Sequence, residues 1–237
     1  MPDAEINEIN SVKTTRIRLI YEKRGRACFV PHVAMSTLFA RAARRADIEL
    51  SYTDGFSPRA KISFGPELPA GVVALSEPAD LWLKGERKQL SSPEEIVSAL
   101  NEQMPEGFRV TKCFFPAEGA LGKECRAAHY LVWLRNNFDT TELLQHMERH
   151  YGEAFLHGFV EQNMPSRISA VLADPAQNGI GGWVKILIAD GIAAGWHDMC
   201  VVRVSLGRWH GKNEKNERNE KHMEPIGDDA ACLRIEK

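Results

Sequence analysis

The side chains best suited to bind an anion are concentrated between residues 41 and 61 of this chain. A turn rich in glycine and proline leads into a strand in which basic or polar residues alternate with apolar ones, and an arginine-rich helix precedes that turn. Guanidinium groups and main-chain amides are common donors to phosphate and carboxylate oxygens. The predicted anion site comprises the residues of the helix end, the turn and the strand that can converge: Arg41, Arg44, Arg45, Tyr52, Gly55, Phe56, Ser57, Arg59 and Lys61.

The same residues also admit a purely structural interpretation. Arg44 and Arg45 can offset the negative end of the helix dipole, and the glycine and proline can simply close a turn. Tyr52 and Phe56 can stack on nucleobases, or they can cover the hydrophobic core as a lid. Both interpretations remain open at this point.

Histidines provide the other candidate chemistry. His32 begins the arginine-rich helix, at the end opposite the Phe56 turn, and can act as a general acid or base, bind phosphate, or simply cap and pack. His146 and His150 stand four residues apart on a predicted helix, a spacing that can hold a metal, and His157 is a third candidate ligand. An exposed helix face is the preferred interpretation, so we predict no metal and no other cofactor.

Charge and cysteine usage restrict the class of protein. The 237 residues carry a net charge of −2, but residues 13–65 contain eleven Lys or Arg against four Asp or Glu, which points to an anionic partner for that segment. Five scattered cysteines are typical of a reducing compartment. No secretory signal or membrane-spanning apolar run is present in the sequence. These features predict a cytoplasmic protein with no membrane partner.

Hydrophobic periodicity predicts an α+β fold of two tandem ferredoxin-like (βαββαβ) domains with antiparallel sheets. The first domain is expected at residues 14–117, and a second, looser copy at 127–210. In that copy the apolar run at 183–189 is predicted as a strand. Residues 1–13 are expected to be a disordered terminus and residues 211–237 a charged flexible tail.

The stretch from Arg16 to about Leu83 resembles the radical SAM-linked protein family, a bacterial domain of unknown function found fused to, or encoded beside, B12-binding-type radical SAM proteins. The matched features are a Tyr-x-Lys strand end, an aromatic–x–x–His, an arginine-rich helix and a Gly-Phe-x-Pro-Arg-x-Lys segment. Ala34 stands where the family commonly has aspartate. The matching residues of the chain are Tyr21, Lys23, Phe29, His32, Leu38, Arg41, Arg44, Arg45, Tyr52, Gly55, Phe56, Pro58, Arg59, Lys61, Ser63, Phe64, Gly65 and Gly71.

The resemblance implies a radical SAM protein as partner. It also implies RNA as a ligand, because genes of this family lie near RNA-processing genes in some bacteria. We therefore predict a non-catalytic accessory module that binds RNA or another anion and works with a radical SAM enzyme. Two alternatives stay open. One is a metal-independent endoribonuclease that uses His32, and the other is a purely protein–protein adaptor.

Overall fold

The computed structural model describes residues 13–117, 119–136, 138–161, 167–211, 222–227 and 233–234. The fold is α+β with a mixed sheet, in agreement with the predicted class. The terminus predicted to be disordered lies outside the described residues, apart from Lys13. Among the described residues, no helix is long and apolar enough to cross a membrane.

The first half of the chain contributes four strands and two helices to this fold. The strands and helices are β1 (Thr14–Lys23), α1 (His32–Arg45), β2 (Ile62–Phe64), β3 (Val73–Lys84), α2 (Pro93–Gln103) and β4 (Phe108–Phe114). Local signals explain the helix positions. In α2, Ser92 and Glu95 form a capping box, with Pro93 in the first turn. In α1, Met35, Phe39 and Ala42 recur at helical spacing and are buried against the sheet.

The second half repeats this order from its first to its fourth strand, with one short helix before them and two short strands after them. Its elements are α3 (Leu121–Glu124), β5 (Ala127–Leu134), α4 (Thr140–Tyr151), β6 (Phe155–Glu161), β7 (Arg167–Ala173), α5 (Ile180–Ala189), β8 (Met199–His210), β9 (His222–Pro225) and β10 (Leu233–Arg234). Short 3₁₀ turns add Gly25–Phe29, Arg87–Gln89, Gly152–Ala154 and Trp196–Asp198.

The described strands form one sheet rather than two. The first-half strands lie in the order β4-β1-β3-β2 and the second-half strands in the order β8-β5-β7-β6, with antiparallel neighbours within each set. The start of β3 pairs in parallel with β8, where Val73 faces Val202 and Ala74 faces Arg203. The prediction of two separate antiparallel sheets is therefore wrong. The parallel junction could not be predicted, because strands so distant in the chain leave no local sequence pattern when they pair.

Two segments differ from expectation. The run predicted as a strand at 183–189 belongs to helix α5, in which Trp183, Val184 and Leu187 are buried. A short run in which nearly every residue is apolar has no periodicity that could distinguish a buried strand from a buried helix. Within the predicted tail, β9 pairs with β8 and buries Met223 completely. The chain approaches so closely there that a Cβ at position 207 would collide with the main-chain oxygen of Glu224.

Two large hydrophobic clusters, beside a small one around Met223, fill the interior. One lies between the first-half strands and helices α1 and α2, and includes Phe39, Leu81 and Leu100. The other centres on Trp183 and the second-half strands, and extends to first-half residues such as Ile20 and Val72. The two halves therefore share a core across their junction.

Candidate anion-binding groove

A groove with a volume of about 580 Å³ runs along the exposed face of α1. Its helical wall is formed by residues three or four positions apart, which places them on one side of the helix. The opposite wall belongs to the segment that precedes β2. The residues lining the groove are Val33, Ser36, Thr37, Ala40, Arg41, Arg44, Tyr52, Arg59 and Ala60.

The second wall is a hairpin fixed by main-chain hydrogen bonds. Its base is attached to β3, because Ser51 N donates to the Trp82 carbonyl (2.7 Å) and Trp82 N donates to the Lys61 carbonyl (3.1 Å). Closer to the tip, Thr53 N donates to the Arg59 carbonyl (2.8 Å), and Arg59 N donates to Thr53 Oγ1 (3.0 Å). Arg59 therefore projects from a hairpin arm, whereas the alternating pattern predicted that it would begin a strand.

The tip of this hairpin presents Phe56 to solvent. Phe56 retains 110 % of the reference accessible area and Tyr52 retains 51 %, while Ser57 is also exposed. Gly55 has a φ of +111°, a region that residues with a side chain rarely adopt, and it shapes the turn. The lid interpretation of Phe56 is thus wrong, since the ring covers no part of the core.

None of the three groove arginines is paired with an anion among the described residues. Arg41, Arg44 and Arg59 are exposed, and none of their side chains forms a salt bridge or hydrogen bond with another described residue. No carboxylate lines the groove. Asp47 and Glu49 line a smaller neighbouring pocket, which the groove residues Ala40, Arg44 and Tyr52 also line. The groove is therefore a cationic surface whose donors remain available to a ligand.

Five predicted site residues do not line the groove: Gly55, Phe56 and Ser57 lie at the hairpin tip, and Arg45 and Lys61 lie elsewhere. Arg45 directs Nη2 to the main-chain carbonyl of Gln103 at the end of α2, so it caps that helix. Lys61 follows the wall residue Ala60 but does not line the groove, and its main chain belongs to the hairpin base.

His32 is separated from the cationic cluster by the length of α1. Its ring packs edge-on against Phe64, with 5.9 Å between centroids. Burial lowers the pKa of His32, and the nearby carboxylate of Glu67 only partly opposes that effect. The three described metal candidates of the second half do not converge either. His146 accepts from Trp183 Nε1 (3.0 Å) and contacts Asp190 (3.2 Å), while His157 stacks on Trp209.

The basic face of β1 is occupied rather than free. Arg18 is buried and makes a two-pronged contact with Asp80, from Nε to Oδ1 (2.6 Å) and from Nη2 to Oδ2 (3.0 Å). Its Nη1 donates to Glu124 (2.7 Å). Arg16 donates to the main-chain carbonyls of Ala117 and Gly119.

Sequence reasoning missed a second buried pair at the junction of the halves. Arg203 of β8 donates from Nε and Nη2 to the two carboxylate oxygens of Glu77 in β3, at 2.7 and 2.6 Å. Its guanidinium also donates to the carbonyls of Pro66 and Glu67. The available signal was an arginine inside an otherwise apolar strand, since such a residue needs a partner when buried.

Comparison with known proteins gives one family match. The family model described as "Uncharacterized protein conserved in bacteria (DUF2344)" matches residues 16–165. No curated protein matches the chain.

Solved structures of low similarity include three that cover most of the chain. An unknown protein from Galdieria sulphuraria has 10% identity and a TM-score of 0.26, covering 80% of this chain and 96% of its own. The small subunit of acetolactate synthase from Thermotoga maritima has 14% identity and a TM-score of 0.28, with coverages of 84% and 99%. The first two RRM domains of yeast poly(U)-binding protein (Pub1) have 9% identity and a TM-score of 0.23, with coverages of 78% and 98%. Scores this low do not establish a common fold.

Proposed function

The chain belongs to the uncharacterized bacterial family DUF2344, and we propose that its groove is a non-catalytic site for the phosphates of RNA or another polyanion. The observation that supports this proposal most strongly is the set of three exposed arginines, Arg41, Arg44 and Arg59, on one groove without a carboxylate partner.

The chemistry of the lining favours a phosphate backbone. Guanidiniums bind phosphate oxygens through paired N–H donors, and like charges gathered in one groove attract a ligand that carries several negative charges. Ser36, Thr37 and Tyr52 supply hydroxyl groups beside those charges. Such groups commonly contact phosphate and sugar without reading base sequence.

The same lining argues for binding rather than cleavage. Within the described part of the chain, the lining contains neither a histidine nor a carboxylate that could transfer a proton. His32 packs against Phe64 at the far end of α1, away from the groove. The groove can therefore hold a phosphodiester, while no lining residue is placed to act as its general base.

The accessory role is supported by the resemblance of residues 16–83 to the radical SAM-linked family. On that basis the partner is a radical SAM enzyme, to which this protein presents the bound ligand. We also infer that each half is a ferredoxin-like unit, because both have antiparallel neighbours in the strand order 4-1-3-2 that the split βαβ arrangement requires. Co-purification of a radical SAM enzyme with the tagged protein from its own host tests the partnership, and a host preparation without one contradicts it.

Fluorescence anisotropy with a labelled single-stranded 20-mer RNA tests the groove. Combined replacement Arg41→Ala, Arg44→Ala and Arg59→Ala should weaken binding at least about 10-fold, since three phosphate contacts are lost. The matched control replaces three exposed cations elsewhere, Arg109→Ala, Arg149→Ala and Lys185→Ala, and changes the net charge equally. Equal affinities of the two triple variants would contradict the proposed site.

A further inference from the structure

Phe56 occupies a position that folding does not explain. A single exposed apolar residue is common on protein surfaces. This ring, however, is fully exposed at the tip of a hairpin whose arms carry the groove residues Tyr52 and Arg59. The hairpin base is attached to β3 by hydrogen bonds to Trp82, so the tip is held in a defined place beside the arginines.

We propose that Phe56 stacks on an unpaired base of the RNA whose phosphates lie in the groove, so that the protein selects single-stranded over duplex RNA. This inference rests on the proposed function and specifies its substrate class. It assigns Phe56 the recognition of a base and the arginines the recognition of the backbone.

The distance along the hairpin arm is compatible with one ligand contacting both features. Phe56 stands three residues from Arg59, a span of at most about 10 Å of extended chain. A base attached to a phosphate in the groove can therefore reach the ring without a rearrangement of the fold.

Duplex RNA cannot offer the same contact at low cost. Its bases are stacked on both faces inside the helix, and extruding one costs a few kcal/mol. Single-stranded bases have free faces that stack on aromatic side chains, and each such contact strengthens binding largely independently of sequence. The surroundings also favour a nucleic acid over a protein pocket as the ligand of Phe56, because Arg59 lies on the same hairpin and Arg41 and Arg44 lie across the groove.

Phe56→Ala, measured by anisotropy with a single-stranded RNA and with its perfect duplex, tests the proposal. We expect single-strand affinity to fall by about 5- to 150-fold and duplex affinity to stay unchanged. Phe56→Trp should restore single-strand binding, with indole emission that changes when the RNA is added. Phe56→Leu should not restore binding, because leucine has no aromatic face. Phe29→Ala removes another exposed aromatic ring and serves as the matched control.

The outcomes separate this inference from the proposed function. If Phe56→Ala binds the single strand as tightly as the native protein, or if the native protein binds duplex equally well, base stacking is overturned while the arginine groove stands. If the native protein binds neither RNA, the proposed function itself fails. If Phe56→Ala keeps its RNA affinity but loses a host protein in a pull-down, the ring is a protein contact and the inference is also overturned.

Discussion

Two sets of arginines divide this molecule into a region that builds the fold and a region available to a ligand. Arg18 and Arg203 are buried, and each is held by a carboxylate at two points. Groove residues such as Arg41 and Arg59 are exposed, with no carboxylate beside them. The role of an arginine here is decided by its partner rather than by its place in a basic stretch of sequence.

The buried set is structural for electrostatic reasons. Burial opposes the positive charge of Arg203, but its attraction to Glu77 and the hydrogen bonds that it donates to that carboxylate outweigh this effect and raise the pKa of Arg203. The same balance raises the pKa of Arg18 beside Asp80 and Glu124. Since Glu77 and Arg203 lie on strands from different halves, their pair also fixes the junction of the sheet.

Breaking the junction pair should have the largest effect on stability. Glu77→Ala leaves the Arg203 guanidinium buried without its carboxylate, and we expect the free energy of unfolding to fall by about 3–5 kcal/mol. Chemical denaturation followed by circular dichroism measures this change. Glu77→Leu combined with Arg203→Met should recover most of the loss, because an apolar pair of similar volume removes the buried charge. A single-variant loss below about 1 kcal/mol would show that the pair does not hold the junction.

His129 is a buried basic side chain that, unlike Arg18 and Arg203, is not held by any carboxylate among the described residues. His129 is 3 % exposed, its Nε2 lies 2.8 Å from Ser169 Oγ, and burial lowers its pKa to about 4. Between the ordinary pKa of 6.5 and about 4, the unfolded chain binds a proton that the folded chain does not. Stability should therefore fall by about 3 kcal/mol from this group as pH drops through that window.

Denaturation at pH 7 and pH 4 measures the His129 contribution. His129→Gln removes the titrating group, so its stability should fall less between the two pH values than that of the native protein. The difference between the two pH profiles isolates His129 from the carboxylates that also titrate in acid. Parallel profiles would mean that folding does not lower the pKa of His129.

A substitution at the hairpin tip should lower stability less than the changes at Glu77 and His129. Gly55→Ala introduces a side chain at a φ of +111°, although the added Cβ would meet no atom within 4 Å. We expect a loss of about 1 kcal/mol from backbone strain alone. Thermal unfolding of Gly55→Ala measures this loss. The control is Gly122→Ala, because Gly122 also has open space around it but no positive φ. A loss no greater than that of the control would show that the tip adopts another conformation.

The groove arginines should contribute least to stability. The combined replacement of Arg41, Arg44 and Arg59 with alanine should change the free energy of unfolding by less than about 0.5 kcal/mol per site, because no described partner is lost. Chemical denaturation of this triple variant and of Glu77→Ala compares the free energy of unfolding that each of the two regions contributes. A large loss in the triple variant would place those arginines among the structural residues.

Local signals in the sequence were sufficient for much of the first half. The capping box at Ser92 and the stripe through Met35 and Phe39 are local signals that account for α2 and α1. Arg45 was misplaced because one residue along a helix turns a side chain by about 100°, which carries it from the groove to Gln103. The pairing of Glu77 with Arg203 depends on residues far apart in the chain, so no local spacing could reveal it.

The salt dependence of RNA binding tests the groove most directly. For single strands, the slope of log K against log salt concentration is about −0.7 per neutralised phosphate. Loss of Arg41, Arg44 and Arg59 should therefore make the slope shallower by about 2, whereas the control Arg109→Ala, Arg149→Ala, Lys185→Ala should keep the native slope. Identical slopes for the native protein and the groove variant would contradict the assignment of these arginines to the ligand.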